Sequence, residues 1–341
     1  MTERAGKSNG RVHLRRLAVA VGCLVGLYLL SAVATVLLYP TFYSRYERPD
    51  YENYPGLYCY ERWDGAPERH IVSFDSCGNA LQGYYYPSAT PQGLVVIVHG
   101  FHAGADDYLP LIEAMLDNGY AVFAYDMTGT YESEGDSTVG MCRALVDLDN
   151  ALNYIGSTEA YASLPLLLIG HSMGGYAAAA VLELHPEVRA CACIAPMNSG
   201  ADIMVEKAWG TVGPLALAAK PILDVYQRAV FGDYVEYNGV RGINATDIPV
   251  LIAQGEGDET ITMHGESIYA HLDELTNPNV TVYYGRGAQA DHNGIWHSDE
   301  AARYMADAAD DNVIDHRRYS EVNADLVALI LQTFEAGLER R

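Results

Sequence analysis

The sequence predicts an α/β protein: a mostly parallel central sheet with helices on both faces. Short apolar runs that do not alternate with polar residues recur between residues 70 and 285, the pattern of strands buried on both faces. Longer helical stretches separate them, so successive parallel strands join by right-handed crossovers. Half of the 341 residues are apolar and 19% are charged, enough to fill a large core and too apolar for a disordered chain.

The elements follow in order. His70–Phe74 and Ala80–Tyr86 form an opening antiparallel pair, with Cys77-Gly78-Asn79 as the turn. Leu94–Val98, Ala121–Tyr125, Leu166–Ile169, Ala190–Ile194, Val250–Ala253 and Val280–Tyr284 are the buried strands. Tyr108–Asn118, Met141–Ile155, Gly174–Leu184 and His264–Leu275 are the helices between them, and an amphipathic helix from Glu321 to Leu338 closes the chain. The gap from Met197 to Asp247 is too long for a loop. It holds three helical stretches, Ala201–Trp209, Pro214–Ala219 and Ile222–Val230, and is expected to form a small cap; a second insertion covers about 297–319.

The N-terminus has a different character. Leu17 to Tyr39 carries no charge, and 23 residues in a helix reach about 34 Å, against a bilayer core of about 30 Å. Arg4, Lys7, Arg11, Arg15 and Arg16 all precede it. The positive-inside rule then places residues 1–16 in the cytoplasm, 17–39 in the lipid bilayer as a single-pass anchor, and the rest outside. The rival is a signal peptide cleaved after Ala32-Val33-Ala34, which would release a secreted protein; the apolar run continues past that point, which favours the anchor. Residues 40–69, rich in tyrosine (43, 46, 51, 54, 58, 60), read as a juxtamembrane connector or as a segment packed on the body. Residues 70–341 are the main domain, with the cap at about 197–247.

Lys and Arg total 21 against 44 Asp and Glu, a formal charge of −23 that repels phosphate backbones and excludes a nucleic-acid binder. Of six cysteines, Cys23 lies in the apolar segment, and Cys191 and Cys193 read as core residues. Cys59 and Cys77 are the one pair considered for a bridge. No spacing fits a zinc site or a calcium loop, and no metal or cofactor is expected. Asn244-Ala-Thr246 and Asn279-Val-Thr281 match the glycosylation pattern.

One segment carries chemistry. Leu166–Ile169 runs into Gly170-His171-Ser172-Met173-Gly174-Gly175 and then a small-residue helix. A one-residue turn from strand to helix lifts a serine hydroxyl clear of the sheet at a helix N-terminus, and the two glycines allow the close approach this needs. Ser172 is the candidate nucleophile, and the Met173 N–H one oxyanion donor. Val98 is followed by His99-Gly100-Phe101, where the Phe101 N–H supplies the second donor and His99 is expected to be structural. Gly255-Glu256-Gly257-Asp258 follows a late strand, and its spacing favours Asp258 over Glu256 and Glu259 as the acid that orients a histidine. His292 is the first histidine after the last strand and the expected base, with His297 a close rival and His316 a distant one.

With these motifs the sequence resembles the α/β-hydrolases, in particular the branch of serine aminopeptidase (S33) and monoacylglycerol-lipase-like hydrolases, over about residues 70–340. Where that family carries D-x-R-G-x-G-x-S-x-G, this chain has Asp126 to Gly135 with Thr128 and Tyr131 in place of the Arg and second Gly, and Asp291 precedes the base where Gly is usual. The expected activity is hydrolysis of a carboxylic ester through Ser172, His292, Asp258 and an acyl-enzyme. A short peptide substrate for a serine aminopeptidase is the alternative. A non-catalytic binding module on the same fold is the reading from a different class.

Overall fold

The computed structural model describes residues 3–51, 59–307 and 316–340. Eight strands form one sheet: β1 (His70–Ser76), β2 (Asn79–Tyr86), β3 (Leu94–Val98), β4 (Ala121–Tyr125), β5 (Leu166–His171), β6 (Val188–Ile194), β7 (Val250–Gly255) and β8 (Val280–Gly285). Their order is β1-β2-β4-β3-β5-β6-β7-β8. The β1–β2 hairpin and the β2–β4 pair are antiparallel, and every pair from β4 through β8 is parallel. The hairpin turns on two residues, Cys77 at φ 52° and Gly78 at φ 88°. Positive φ at both central positions matches the strand twist of a type I′ turn.

The unbroken apolar runs have a direct cause. Successive side chains on a strand point to opposite faces, and here both faces are buried. Val96 and Val98 of β3, Leu168 of β5 and Ile252 of β7 enter one core, against the helices Arg143–Ser157 and Met173–Ala180. Val95 and Ile97, Leu167 and Ile169, Leu251 and Ala253 enter the other, against Leu109–Asp117 and Ala324–Glu339. Cys191 and Cys193, two apart on β6, share the first core.

Two local expectations differ from what is found, and the state of the Cys59 and Cys77 pair is given by the structure. The second and third cap stretches form one helix, Leu215–Phe231, that runs through Pro221. A proline there removes the bond to the Leu217 carbonyl and ordinarily interrupts a helix, which is why the sequence reads as two pieces. The helix nonetheless continues through it, and Pro221 and Val225 line a cleft of about 390 Å³ together with Tyr28 and Val36 of the N-terminal helix. The stretch His264–Leu275 forms a 3₁₀ segment, Ile268–Glu274, rather than an α-helix. Its start is held extended against the chain after β6 by Asn198 N–H to the Glu266 carbonyl (2.6 Å) and Ile268 N–H to the Pro196 carbonyl (3.1 Å). Cys59 is buried and Cys77 exposed, and both are free.

The N-terminal helix spans Glu3–Leu38, and His13–Tyr43 is long and apolar enough to cross a membrane. Beyond it, Ser44 pairs with Ser137 and Tyr46 with Thr130, so this part of the tyrosine-rich segment packs on the body; Tyr54 and Tyr58 lie outside the described residues. Two helices, Ile203–Val212 and Leu215–Phe231, follow β6 in the stretch expected to form a cap.

Leu168→Ala empties the middle of the first core and is expected to cost about 2–5 kcal/mol in urea unfolding. Val282→Ala, on the exposed side of β8, should cost no more than about 0.5 kcal/mol. Equal costs would contradict a sheet buried on both faces at its centre and open at its edge.

Candidate active site

The site begins at the end of β5. His171 is the last strand residue, Ser172 alone makes the turn, and the helix Met173–Ala180 starts at once. Ser172 has φ 56° and ψ −116°, a conformation that costs a non-glycine residue about 1–3 kcal/mol and persists only where the surroundings impose it. The surroundings are backbone. A Cβ on Gly170 would stand 2.2 Å from the Gly174 carbonyl oxygen, and one on Gly174 would stand 2.1 Å from that of Val98. No side chain fits at either position, so strand, helix and the end of β3 meet main chain to main chain. The Ser172 N–H donates to the Ile194 carbonyl at 2.8 Å, which ties the bend to β6. The Met173 N–H, at the first turn of the helix, has no partner within the helix.

The turn after β3 lies against this bend: a Cβ on Gly100 would be 3.4 Å from the Ser172 Cβ. Phe101 follows, half-buried. His99 is buried and bonded to backbone at both ring nitrogens. Nε2 accepts the Met127 N–H at 2.9 Å, which leaves the proton on Nδ1, 2.7 Å from the Gly100 carbonyl oxygen. Burial pushes its pKa down to about 4, so the ring stays neutral.

The acid and base sit on the other side. Asp258, in the turn after β7, is 5% exposed. Its Oδ1 accepts the N–H groups of Thr260 (2.8 Å) and Ile261 (2.7 Å), which fix the carboxylate, and its Oδ2 lies 2.7 Å from His292 Nδ1. That pairing leaves Nε2 of His292 as the outward ring nitrogen. Asp291, where glycine is usual, accepts the N–H groups of Asn293 (2.9 Å) and Gly294 (2.5 Å) and so shapes the loop that carries His292. Glu256 points away, 4.0 Å from Arg286. His297 is not near Asp258; it is buried between Trp296 and Tyr319, with its pKa down at about 4. His316 opens a short helix, His316–Tyr319.

A hydrogen-bonded relay joins the three pieces. The Gly100 N–H donates to the Tyr108 hydroxyl at 2.9 Å, the hydroxyl donates to His171 Nδ1 at 2.8 Å, and His171 Nε2–H donates to the His292 carbonyl at 3.0 Å. The directions are forced: an amide can only donate and a carbonyl can only accept. The rings of His171 and His292 lie 4.8 Å apart, so His292 sits beside the residue that precedes Ser172. Burial, and then the neighbouring His292, push His171 down to about 3. Neither Tyr108 nor His171 stands out in the sequence. His171 is the variable residue of the serine motif, and nothing in spacing alone connects it to Tyr108.

Loop Asp126–Gly135 is tied to the turn after β3 by the Met127 N–H bond to His99. Thr128 donates its N–H (2.8 Å) and hydroxyl (2.9 Å) to the buried carboxylate of Asp147. Asp126 accepts the Ala105 N–H at 2.8 Å and the Tyr84 hydroxyl at 2.8 Å, and burial raises its pKa to about 7. Among the described residues no group of His, Cys, Asp and Glu is arranged to hold a metal ion.

Histidine ring NMR at pH 5 is expected to show His99, His171 and His297 neutral, since pH 5 lies above their folded pKa values and below the ordinary value near 6.5. Because the unfolded chain binds those protons first, the stability these groups contribute is present above about pH 6.5 and is lost as pH falls toward 4. Three protonated rings at pH 5 would contradict the burial described.

Comparison with known proteins places this arrangement. The family model described as "Serine aminopeptidase, S33" matches residues 89–230. Human monoglyceride lipase is 33% identical over 93 residues, 27% of this chain and 30% of that protein; the rat protein is 36% identical over 95 residues, with the same shares. The chain thus spans less than a third of the curated relatives it matches. Among solved structures, the Pyrococcus furiosus esterase Pf2001 superposes with a TM-score of 0.54 at 18% identity, over 80% of this chain and 94% of that one. Est1E from Butyrivibrio proteoclasticus, bound to ferulic acid, gives 0.53 at 16% identity, over 79% and 98%. At that identity these two share the fold. By its strand order and its strand–serine–helix bend the chain has the α/β-hydrolase fold, and its residues 89–230 are similar to the serine aminopeptidase S33 family and, over a shorter stretch, to monoglyceride lipases.

Proposed function

We propose that the protein is a serine hydrolase that cleaves carboxylic esters through Ser172, His292 and Asp258. The observation that carries this is the 2.7 Å contact of His292 Nδ1 with Asp258, on a loop bonded to the residue before Ser172. In the mechanism, His292 Nε2 takes the Ser172 proton as Oγ attacks the ester carbonyl. Asp258 holds the imidazole in the needed tautomer and stabilises its charged form. The N–H groups of Phe101 and Met173 receive the oxyanion. His292 returns the proton to the leaving alcohol, and water then releases the acyl group by the same steps in reverse order. An ester is favoured because the matched relatives are named as monoglyceride lipases.

The second reading is a peptidase, favoured by the family description, serine aminopeptidase. It uses the same nucleophile on an amide. Amino-acid arylamides compared with acyl esters separate the two. A binding module without catalysis would turn over neither.

With a p-nitrophenyl ester, Ser172→Ala and His292→Gln should each lower kcat by about 10³-fold or more, and Asp258→Asn by about 10²–10⁴-fold. Because the residues act as a unit, the Ser172→Ala/His292→Gln pair should be no slower than either alone. Undiminished turnover in Ser172→Ala would refute the reading.

We further infer that residues 17–39 anchor the chain in a bilayer, with residues 1–16 cytoplasmic and the hydrolase domain outside. The support is an apolar helix whose Leu17, Leu27, Leu30 and Leu37 stand exposed, and five basic residues before it against Arg45 and Arg48 after it, which are offset by Glu47 and Asp50. The enzyme should sediment with membranes, resist carbonate extraction and keep its full mass. A soluble product beginning after Ala34 would identify a cleaved signal instead.

A further inference from the structure

We infer that the segment Tyr43–Tyr46, just beyond the apolar helix, is a positioning element of the active site: Tyr43 and Tyr46 clamp the Phe101–His102 turn that carries an oxyanion donor. This rests on the serine hydrolase reading given above.

The clamp is built from main chain and rings. The Thr138 N–H donates to the Tyr43 carbonyl (3.0 Å), the Arg45 N–H to that of Asp136 (2.9 Å), the Tyr46 N–H to that of Gly129 (2.9 Å), and the Tyr131 N–H to that of Tyr46 (3.0 Å). The segment is therefore laced onto the loop after β4 along its whole length. The Arg45 guanidinium adds bonds to the carbonyls of Ser133 (2.6 Å), Gly135 (3.0 Å) and Tyr131. That loop is the one in which the family pattern places an arginine and this chain has Thr128, so a cation arrives from outside the loop.

Against this fixed edge stands an aromatic stack. Tyr43 meets Phe101 edge-on, with ring centres 5.7 Å apart. Phe101 stacks on His102 at 3.9 Å, His102 on Tyr46 at 4.9 Å, and Tyr46 on Tyr131 at 5.9 Å. His102 has φ 52°, a left-handed backbone that a non-glycine residue holds only when its surroundings impose it. The Phe101 amide lies one residue before this strained position, so the stack that holds the ring of His102 also sets where that amide points. The other end reaches the cap: the Tyr43 hydroxyl donates to that of Tyr39 (3.1 Å), and Tyr39 meets Tyr226 of the cap helix edge-on at 5.3 Å.

An oxyanion donor acts on the transition state and hardly on the bound ester, so its misplacement lowers kcat and spares KM. Misplacement by about 1 Å is worth up to about 10²-fold. In the full-length protein in detergent, Tyr46→Ala should lower kcat for a p-nitrophenyl ester by about 10- to 100-fold with KM within about twofold. Tyr46→Phe, which keeps the ring, should restore it. His102→Asn is the second variant: the side chain is exposed, asparagine tolerates the left-handed backbone, and the ring is lost, so it should reproduce the kcat loss without loss of fold. The acid limb of the kcat–pH profile should not move in any variant, because His292 is untouched. Wild-type kcat in His102→Asn, or a rise in KM alone, would overturn the inference. Turnover that survives Ser172→Ala would instead overturn the reading on which it rests.

Discussion

The structure depends on the contact of three backbones at one point. The end of β5, the first turn of the helix after it and the end of β3 approach so closely that Gly170 and Gly174 have no room for a Cβ. This contact drives Ser172 to φ 56° and sets its side chain above the sheet rather than within it. The strain is held by two dry cores of side chains, one on each face. A sheet buried on one face only would lack that support.

From this bend the site is assembled by loops at the ends of the parallel strands, where ligands bind in open α/β sheets. The turn after β3 brings Gly100 and Phe101, the turn after β7 brings Asp258, and the loop after β8 brings His292. The Tyr108–His171 relay bonds the first and third of these to the bend itself. Its histidine stays neutral through burial, so the relay keeps one set of proton positions at neutral pH. It is a fixed brace beside His292.

Much of the fold was legible because burial on both faces leaves a plain signature. All eight runs lie in strands, with only the edge strands β1 and β8 largely open, and Gly78, which accepts positive φ, marks the hairpin turn; Cys77 takes φ 52° beside it without a local signal. The serine motif was legible because its glycines answer to a backbone clash, which any side chain would violate. Pairing of His292 with Asp258, rather than His297 with any acid, rested on chain order alone. What stayed hidden depends on tertiary contact. The 3₁₀ turn at Ile268–Glu274 is decided by bonds to Pro196 and Asn198, and the helix that continues through Pro221 runs against the local signal of that residue. Arg45, some 80 residues before the loop it braces, has no local pattern to announce it.

The central claim is that the hydroxyl of Ser172 is activated by His292. The most direct measurement is intact-mass and peptide analysis after brief exposure to a fluorophosphonate at neutral pH. The account predicts one adduct, on the peptide carrying Ser172, absent from Ser172→Ala and formed at least about 10²-fold more slowly in His292→Gln. Labelling elsewhere, or at an unchanged rate without the imidazole, would contradict it.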